Sequence, residues 1–206
     1  MFAQVESGSI TKYYSGNRGI VIDDNQYPKA MFTLWSKDDR EAIGIYEIEI
    51  DNTNKKDEAW YINTDISYAF ADGKVTGSYE SATARAHADS LYTNQDKTDG
   101  LIPSDKSVGD VKAEGLKTIK IRDVKAQAAQ ELQNTDWYVV RKADAGTAVP
   151  SAITTHRAAV RTKADEMETA ITNASDTPAL ETLYTYTKQE DGSITRPLGE
   201  LPVLDS

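Results

Sequence analysis

The side chains most often used in catalysis and metal binding are scarce in this sequence. Histidine occurs only at His87 and His156, about seventy residues apart, and there is no cysteine. A metal site or catalytic dyad would therefore have to be completed by carboxylates, and the 33 Asp and Glu residues show no spacing typical of one. No Gly-rich phosphate loop, nucleophile elbow or His-Glu-x-x-His pattern occurs. We predict that the protein is not an enzyme and has no catalytic residue, metal or cofactor.

One polar loop, residues 51–58, invites comparison with a calcium site because it begins and ends with carboxylates. An EF-hand loop needs oxygen ligands at its third and fifth positions and glycine at its sixth. Here the fifth and sixth positions are Lys55 and Lys56. The pattern therefore predicts a solvated turn.

The charge balance restricts the class of partner. The net charge is −10, so the surface field repels phosphate backbones and anionic membranes. The sequence has no run of about 18 apolar residues and no start typical of a signal peptide, so we expect a protein that is soluble when synthesised. The expected partners are proteins, and neither nucleic acid nor a membrane is expected.

Four side chains are candidates for binding such a partner: Trp137, Tyr138, Arg157 and Arg161. Arg157 and Arg161 are one helical turn apart and could bind a partner's carboxylates through paired hydrogen bonds. Ion pairs within the chain, with Asp136, Asp165 or Glu168, are the alternative.

Aromatic residues raise a further alternative. Tyrosine occurs eleven times, and Trp35, Trp60 or Tyr61 could form a platform for sugar binding. The other interpretation is that they are core residues of a small β domain.

The candidate binding residues lie between or within two helical stripes. The first stripe comprises Ile121, Val124, Ala128 and Leu132, and the second comprises Ile153, Val160, Ala164, Met167 and Ile171. Neither helix can bury its apolar face alone, so we predict an antiparallel pair with Trp137 wedged at the joint. His156, at the edge of the second stripe, could serve packing or pH sensing.

The whole chain is predicted to be α+β. Residues 1–92 predict a small N-terminal antiparallel β domain with one short helix, residues 93–109 a polar linker, and residues 110–206 a C-terminal helical hairpin with a trailing β-hairpin and an extended tail. Turns are predicted at Ser7-Gly8, Asp72-Gly73 and Asp191-Gly192. The Ala-rich segment Thr83 to Leu91 is predicted to be helical.

The joint between the helices carries a family resemblance. Leu132, Asp136-Trp137 and the Arg157-Ala-Ala-Val-Arg161 pattern resemble the C-terminal module of bacteriophage tail-fibre assembly, or tail-assembly-chaperone-like, proteins. The resemblance covers about 40 residues. It departs from those families in having His156 where they have an aromatic pair, and a Pro197/Pro202 tail where they end in Trp-Pro.

The N-terminal segments 28–35 and 44–47 also look like virion-associated proteins of marine phages. The resemblances imply a structural component of a phage virion, in the tail, baseplate or fibre attachment. Its partners would be other phage structural proteins, in multiple copies within a symmetric assembly. The protein would be made in the host cytoplasm and located in the virion. The alternatives are a tail-fibre assembly chaperone and a carbohydrate-binding receptor module.

Overall fold

An α+β architecture, as predicted, is found in the computed structural model, which describes residues 1–204. A β-sheet region comes first, and helices with a trailing β-hairpin follow. The chain divides into two compact units, Met1–Thr83 and a second that begins at Ala84.

The first unit is built on a five-stranded sheet. Its elements are β1 (Phe2–Glu6), β2 (Ser9–Tyr14), β3 (Ile20–Ile22), β4 (Asn25–Tyr27), α1 (Met31–Leu34), α2 (Lys37–Glu41), β5 (Ile45–Asp51), β6 (Tyr61–Ile62), β7 (Ile66–Ala71) and β8 (Lys74–Tyr79). The sheet has the order β2-β1-β5-β8-β7, and β3 and β4 form a separate hairpin. The rings of Tyr13 on β2 and Tyr68 on β7 are 5.1 Å apart, so the two edge strands curl towards each other.

Tight turns connect the hairpins of this sheet. Ser7 and Gly8 join β1 to β2 with φ of 50° and 79°, and Asp72 and Gly73 join β7 to β8 with φ of 52° and 74°. Positive φ at both central residues matches the right-handed twist of the flanking strands. Both predicted hairpins are confirmed.

The pairing of β5 with β8 differs from the antiparallel arrangement predicted for this region. Those strands run parallel, with Ile48 opposite Val75, while the other pairs of the sheet are antiparallel. Neighbouring strands in a parallel pair cannot be joined by a tight turn. No local sequence signal therefore marks this contact.

Apolar clusters cover both faces of the sheet. Phe2 and Ile45 belong to a cluster with Met31 and Phe32, whereas the next residue, Ala3, packs with Ile48 and Val75. Successive strand residues point to opposite faces, so α1 covers one face and the curled sheet encloses the other. Ser36 caps the N-terminus of α2, and Asp39 completes a capping box.

The second unit is mainly helical. Its elements are β9 (Thr83–Ala84, at the division), β10 (Ser90–Leu91), α3 (Asn94–Thr98), β11 (Val111–Ala113), α4 (Leu116–Gln133), α5 (Asp136–Ala145), α6 (Ser151–Asn173), α7 (Thr177–Tyr184), β12 (Thr187–Lys188) and β13 (Ile194–Thr195). The trailing hairpin around Asp191-Gly192 is confirmed.

The helix predicted for Thr83 to Leu91 is not formed, and part of that segment caps α4 instead. The carbonyl oxygens of Ala86 and His87 accept hydrogen bonds from the N–H groups of Leu116 and Lys117. Asp89 accepts bonds from Gly115 N–H at 2.7 Å and Thr118 Oγ1 at 2.9 Å. These bonds lower the pKa of Asp89. The first turn of a helix has unpaired N–H groups, and this segment satisfies them.

α4 and α6 form the predicted antiparallel pair. Lys117, at the start of α4, donates to the carbonyl of Thr172 at the end of α6, and Lys125 pairs with Glu168 at 3.2 Å. All five residues predicted for the stripe of α6 are buried. On α4, Leu116, Val124 and Ala128 are buried.

Residues 93–109, predicted as a linker, lie within the second unit. Tyr92 N–H donates to the carbonyl of Asp110, Gly109 N–H donates to the carbonyl of Tyr92, and Lys112 forms an ion pair with Asp96. The segment is thus a loop closed at its base.

The tail after β13 is extended and docked as far as it is described. Leu198 is buried and its N–H donates to the carbonyl of Leu183. Further along, residues 202–204 lie beside the first turns of α6, where they line a shallow cleft with Ser151 and Thr155.

Candidate protein-binding site

Arg157 lies at the joint between α4, α5 and α6, in the place that the sequence analysis assigned to Trp137. Its Nη1 donates to the Leu132 carbonyl at 2.8 Å and to Thr135 Oγ1 at 2.7 Å, and it pairs with Asp136 at 2.8 Å. Arg157 and Thr135 are both buried. Of the two interpretations left open for Arg157, the ion pair with Asp136 is the one observed.

Trp137 is not wedged between helices, which corrects the predicted joint. It lies on α5 with 51% of its surface exposed. Its ring stacks on that of Tyr138, with centroids 3.9 Å apart. The reason is that Thr135 and Arg157 fill the joint, so the chain bends there and starts a new helix at Asp136.

α5 as a whole has no buried residue. Ten residues are too few for a stable isolated helix in water, since such helices become stable only at about 12 to 15 residues. Contacts at its ends hold it: Asp136 pairs with Arg157 at the first turn, and Gly146 ends it with φ of 68°. α5 therefore presents Trp137, Val139 and Val140 to solvent without using them for the core.

Arg141 completes a cluster on α5 that sequence reasoning missed. Its guanidinium carbon is 4.6 Å from the centroid of Trp137 and 5.5 Å from that of Tyr138. We call Trp137, Tyr138 and Arg141 the α5 cluster. The i, i+4 spacing of Trp137 and Arg141 was a usable signal, because it puts both on one side of a helix.

Arg161 is separate from the other candidates. It is exposed on α6, and its Nη1 donates to the carbonyl of Arg157 at 3.3 Å. It forms no ion pair with any residue of 1–204. The four candidates are thus divided: Trp137 and Tyr138 lie together on α5, Arg157 is internal, and Arg161 is on the surface of α6.

The aromatic residues considered for sugar binding belong to the first unit. Trp60 and Tyr61 are buried, so the core interpretation is confirmed for both. Trp35 is half-buried and meets the ring of Tyr27 edge-on at 5.9 Å. These three side chains do not form an open platform.

His156 is buried beside the stripe of α6, and its Nε2 has no hydrogen-bond partner among residues 1–204. In the 51–58 loop, Asp51 accepts hydrogen bonds from the backbone and side chain of Thr53, which lower its pKa. Within the described residues, no group of three or more His, Asp or Glu side chains is placed to hold a metal ion.

Among the helices of residues 1–204, none combines the length and the apolar character needed to span a bilayer.

Comparison with known proteins identifies no relative. No family model matches the chain, and neither a curated protein nor a solved structure is significantly similar to it.

Proposed function

We propose that this protein is a structural component of a phage virion, in the tail, baseplate or fibre attachment, and that it acts by binding another virion protein through α5. The observation that carries this proposal is the α5 cluster, in which Trp137 is exposed and Tyr138 and Arg141 are half-buried, on a helix with no buried residue. The phage setting rests on the sequence resemblance around Leu132, Asp136-Trp137 and Arg157 to Arg161.

The composition of the cluster supports a protein partner. Trp, Tyr and Arg are the residues most enriched among those that contribute most to binding at protein interfaces. Trp137 and Tyr138 are already stacked on each other and on Arg141, so little side-chain freedom would be lost on binding. Val140, 65% exposed, extends the apolar area by one turn.

The contacts at the joint between α4, α5 and α6 also support this proposal. Arg157, Thr135 and Asp136 fix the start of α5 relative to α6 through contacts within the chain. Because α5 has no buried residue, its exposed side chains stay available to a partner. The resemblance motif therefore includes residues that position α5 as well as residues that would contact the partner.

Quantitative mass spectrometry of purified virions tests the setting. A structural component is expected at a fixed copy number that fits the symmetry of the tail or baseplate. A protein abundant in the lysate but scarce in particles would instead be an assembly chaperone.

The role of α5 is tested by incorporation of Trp137→Ala into particles. We expect incorporation to fall, while Ile194→Ala, which truncates a more exposed apolar residue on β13, leaves it unchanged. Normal incorporation of Trp137→Ala would contradict the proposed binding surface.

A further inference from the structure

Arg141 is the member of the α5 cluster whose binding capacity is unused. Its guanidinium is stacked on two aromatic rings. The Nε of this half-buried side chain is itself buried, and none of residues 1–204 accepts a hydrogen bond from it. Arg122 and Arg196 differ from Arg141, because they are paired with Glu114 and Glu200. A guanidinium has five N–H donors in a planar fork that fits a carboxylate.

The charges of α5 favour an anionic partner group. The negative charge of Asp136 is neutralised by its ion pair with Arg157. The remaining charged residues of α5 are two cations, Arg141 and Lys142, and one anion, Asp144. The helix thus carries a local excess of positive charge on a chain whose net charge is −10. A carboxylate is attracted to α5 and repelled by most of the remaining surface, which directs it to this site.

Resting on the proposed function, we infer that α5 binds an acidic segment of a partner protein. A carboxylate of that segment pairs with the stacked guanidinium of Arg141, and an adjacent apolar side chain packs on Trp137 and Val140. Arg141 is then the residue that determines specificity, while Trp137 supplies the buried apolar area. A nucleic-acid backbone fits less well, because one excess positive charge cannot offset the repulsion of many phosphates by an acidic chain.

The test uses the intact protein, immobilised and screened against a random-peptide library. An enriched peptide is synthesised together with a matched form in which Asn and Gln replace its Asp and Glu. Both are titrated against the parent protein and against Trp137→Ala, Arg141→Met and Arg141→Lys. Lys188→Met is the control, because it removes one exposed positive charge on a different element, β12.

We expect acidic peptides with apolar neighbours to be enriched. Arg141→Met should weaken their binding by about tenfold to a hundredfold, the loss expected for a hydrogen bond between charged groups. Arg141→Lys, which keeps the charge and loses the planar fork, should lie between Arg141→Met and the parent. Lys188→Met should change binding by less than about threefold.

Several results would overturn the inference, and they are distinguishable from failure of the proposed function. Equal binding of the neutralised peptide, or binding that Trp137→Ala abolishes and Arg141→Met does not change, would reject the acidic segment while keeping α5 as the interface. Peptide binding that none of the α5 variants alters would reject both. Self-association of the chain that Trp137→Ala abolishes would show that a second copy covers α5, which also overturns the inference.

Discussion

Arg157 contributes to stability at the scale of a single residue. Replacing it with Ala leaves the Leu132 carbonyl and the Thr135 hydroxyl without their charged donor, and Asp136 without its partner. We expect Arg157→Ala to lower the free energy of unfolding by about 2 to 4 kcal/mol, between the loss of one charged hydrogen bond and that of a buried ion pair. Urea unfolding measures this difference.

Arg161 is the matched control for that measurement, because it is on the same helix but exposed. Arg161→Ala should change the free energy of unfolding by no more than about 0.5 kcal/mol. If both variants unfold like the parent protein, the joint does not depend on Arg157.

Trp137→Ala is expected to have a small effect on stability. The ring is half exposed, so its removal leaves no closed cavity, and the loss is limited to the stack with Tyr138 and Arg141, about 1.5 kcal/mol or less. Met167→Ala, which empties a buried site on α6, should cost about 2 to 5 kcal/mol. Thermal unfolding of the two variants compares them, and a larger loss for Trp137→Ala would place its ring in the core.

Periodicity and local chemistry explain which residues the sequence could predict. The buried stripe from Ile153 to Ile171 repeats at helical spacing, so it was predictable. The burial of Arg157 could not be predicted, because nothing in the sequence distinguishes a buried arginine on α6, such as Arg157, from an exposed one, such as Arg161. Arg141 was missed because its stacking depends on a helix that starts at Asp136, and that start depends on the distant Arg157.

At the scale of elements, the start of α4 depends on a close backbone approach at Gly115. A Cβ atom there would clash with the carbonyl carbon of Ala88 and lie 2.7 Å from the carbonyl oxygen of His87. Gly115→Ala must push residues 86–89 away from α4 and break the hydrogen bonds that cap it. We expect a loss of about 1 to 3 kcal/mol, typical of overpacking, measured by urea unfolding.

Gly100 provides a comparison for this substitution. It has φ of 67°, and no atom lies within 4 Å of the place that an added Cβ would take, so Gly100→Ala strains the backbone without a steric clash. Hydrogen exchange should show that Gly115→Ala exposes the amides of Leu116 and Lys117 and that Gly100→Ala does not. Equal protection of those amides in both variants would mean that residues 86–89 do not cap α4.

The loop between β10 and β11 should open in acid. Hydrogen bonds from Lys112 and Thr93 hold the pKa of Asp96 well below its usual range, and the pair raises the pKa of Lys112. The carboxylate therefore stabilises the loop above the ordinary Asp pKa of about 4, and this contribution is lost as the pH falls from there towards the folded-state pKa. The ammonium group of Lys112 also stabilises the loop below the ordinary Lys pKa. That contribution is lost as the pH rises from there through its raised folded-state pKa.

Hydrogen exchange of the Tyr92 and Gly109 amides as a function of pH measures this opening, after correction for the intrinsic exchange rate. Protection should decrease below about pH 4 in the parent protein. Asp96→Asn should show weaker protection with little further dependence on acid. Protection in the parent that stays constant down to the folded-state pKa of Asp96 would contradict the role of the ion pair.

Elements marked by local turn chemistry were predictable from sequence. Ser7-Gly8, Asp72-Gly73 and Asp191-Gly192 each predicted a hairpin that the fold contains. The conformation of the segment from Thr83 to Leu91 was not predictable. Its alanines favour a helix, but its carbonyl groups accept the hydrogen bonds that cap α4. Tertiary hydrogen bonds outweigh helix propensity in such a segment.

At the scale of the whole molecule, the two units should fold when expressed separately. The second fragment should begin at Ala84, because residues 85–91 are bound to it: Thr177 Oγ1 donates to the carbonyl of Arg85, and Asp89 caps α4. We expect fragments 1–83 and 84–206 each to give dispersed NMR spectra. A fragment that begins at residue 110 should be less stable, since it loses these bonds. Should that shorter fragment be as stable as the longer one, the boundary lies in residues 93–109, as the sequence alone suggests.

The position of Leu198 affects the order in which the chain can fold during synthesis. Leu198 is buried and bonded to Leu183, so the interior of the second unit stays incomplete until this residue has left the ribosome. The five-stranded sheet is finished at Tyr79, more than a hundred residues earlier, and domains generally fold from the N-terminal end as they emerge. The ribosome-bound chain should therefore carry a folded sheet while the interior of the second unit is still incomplete.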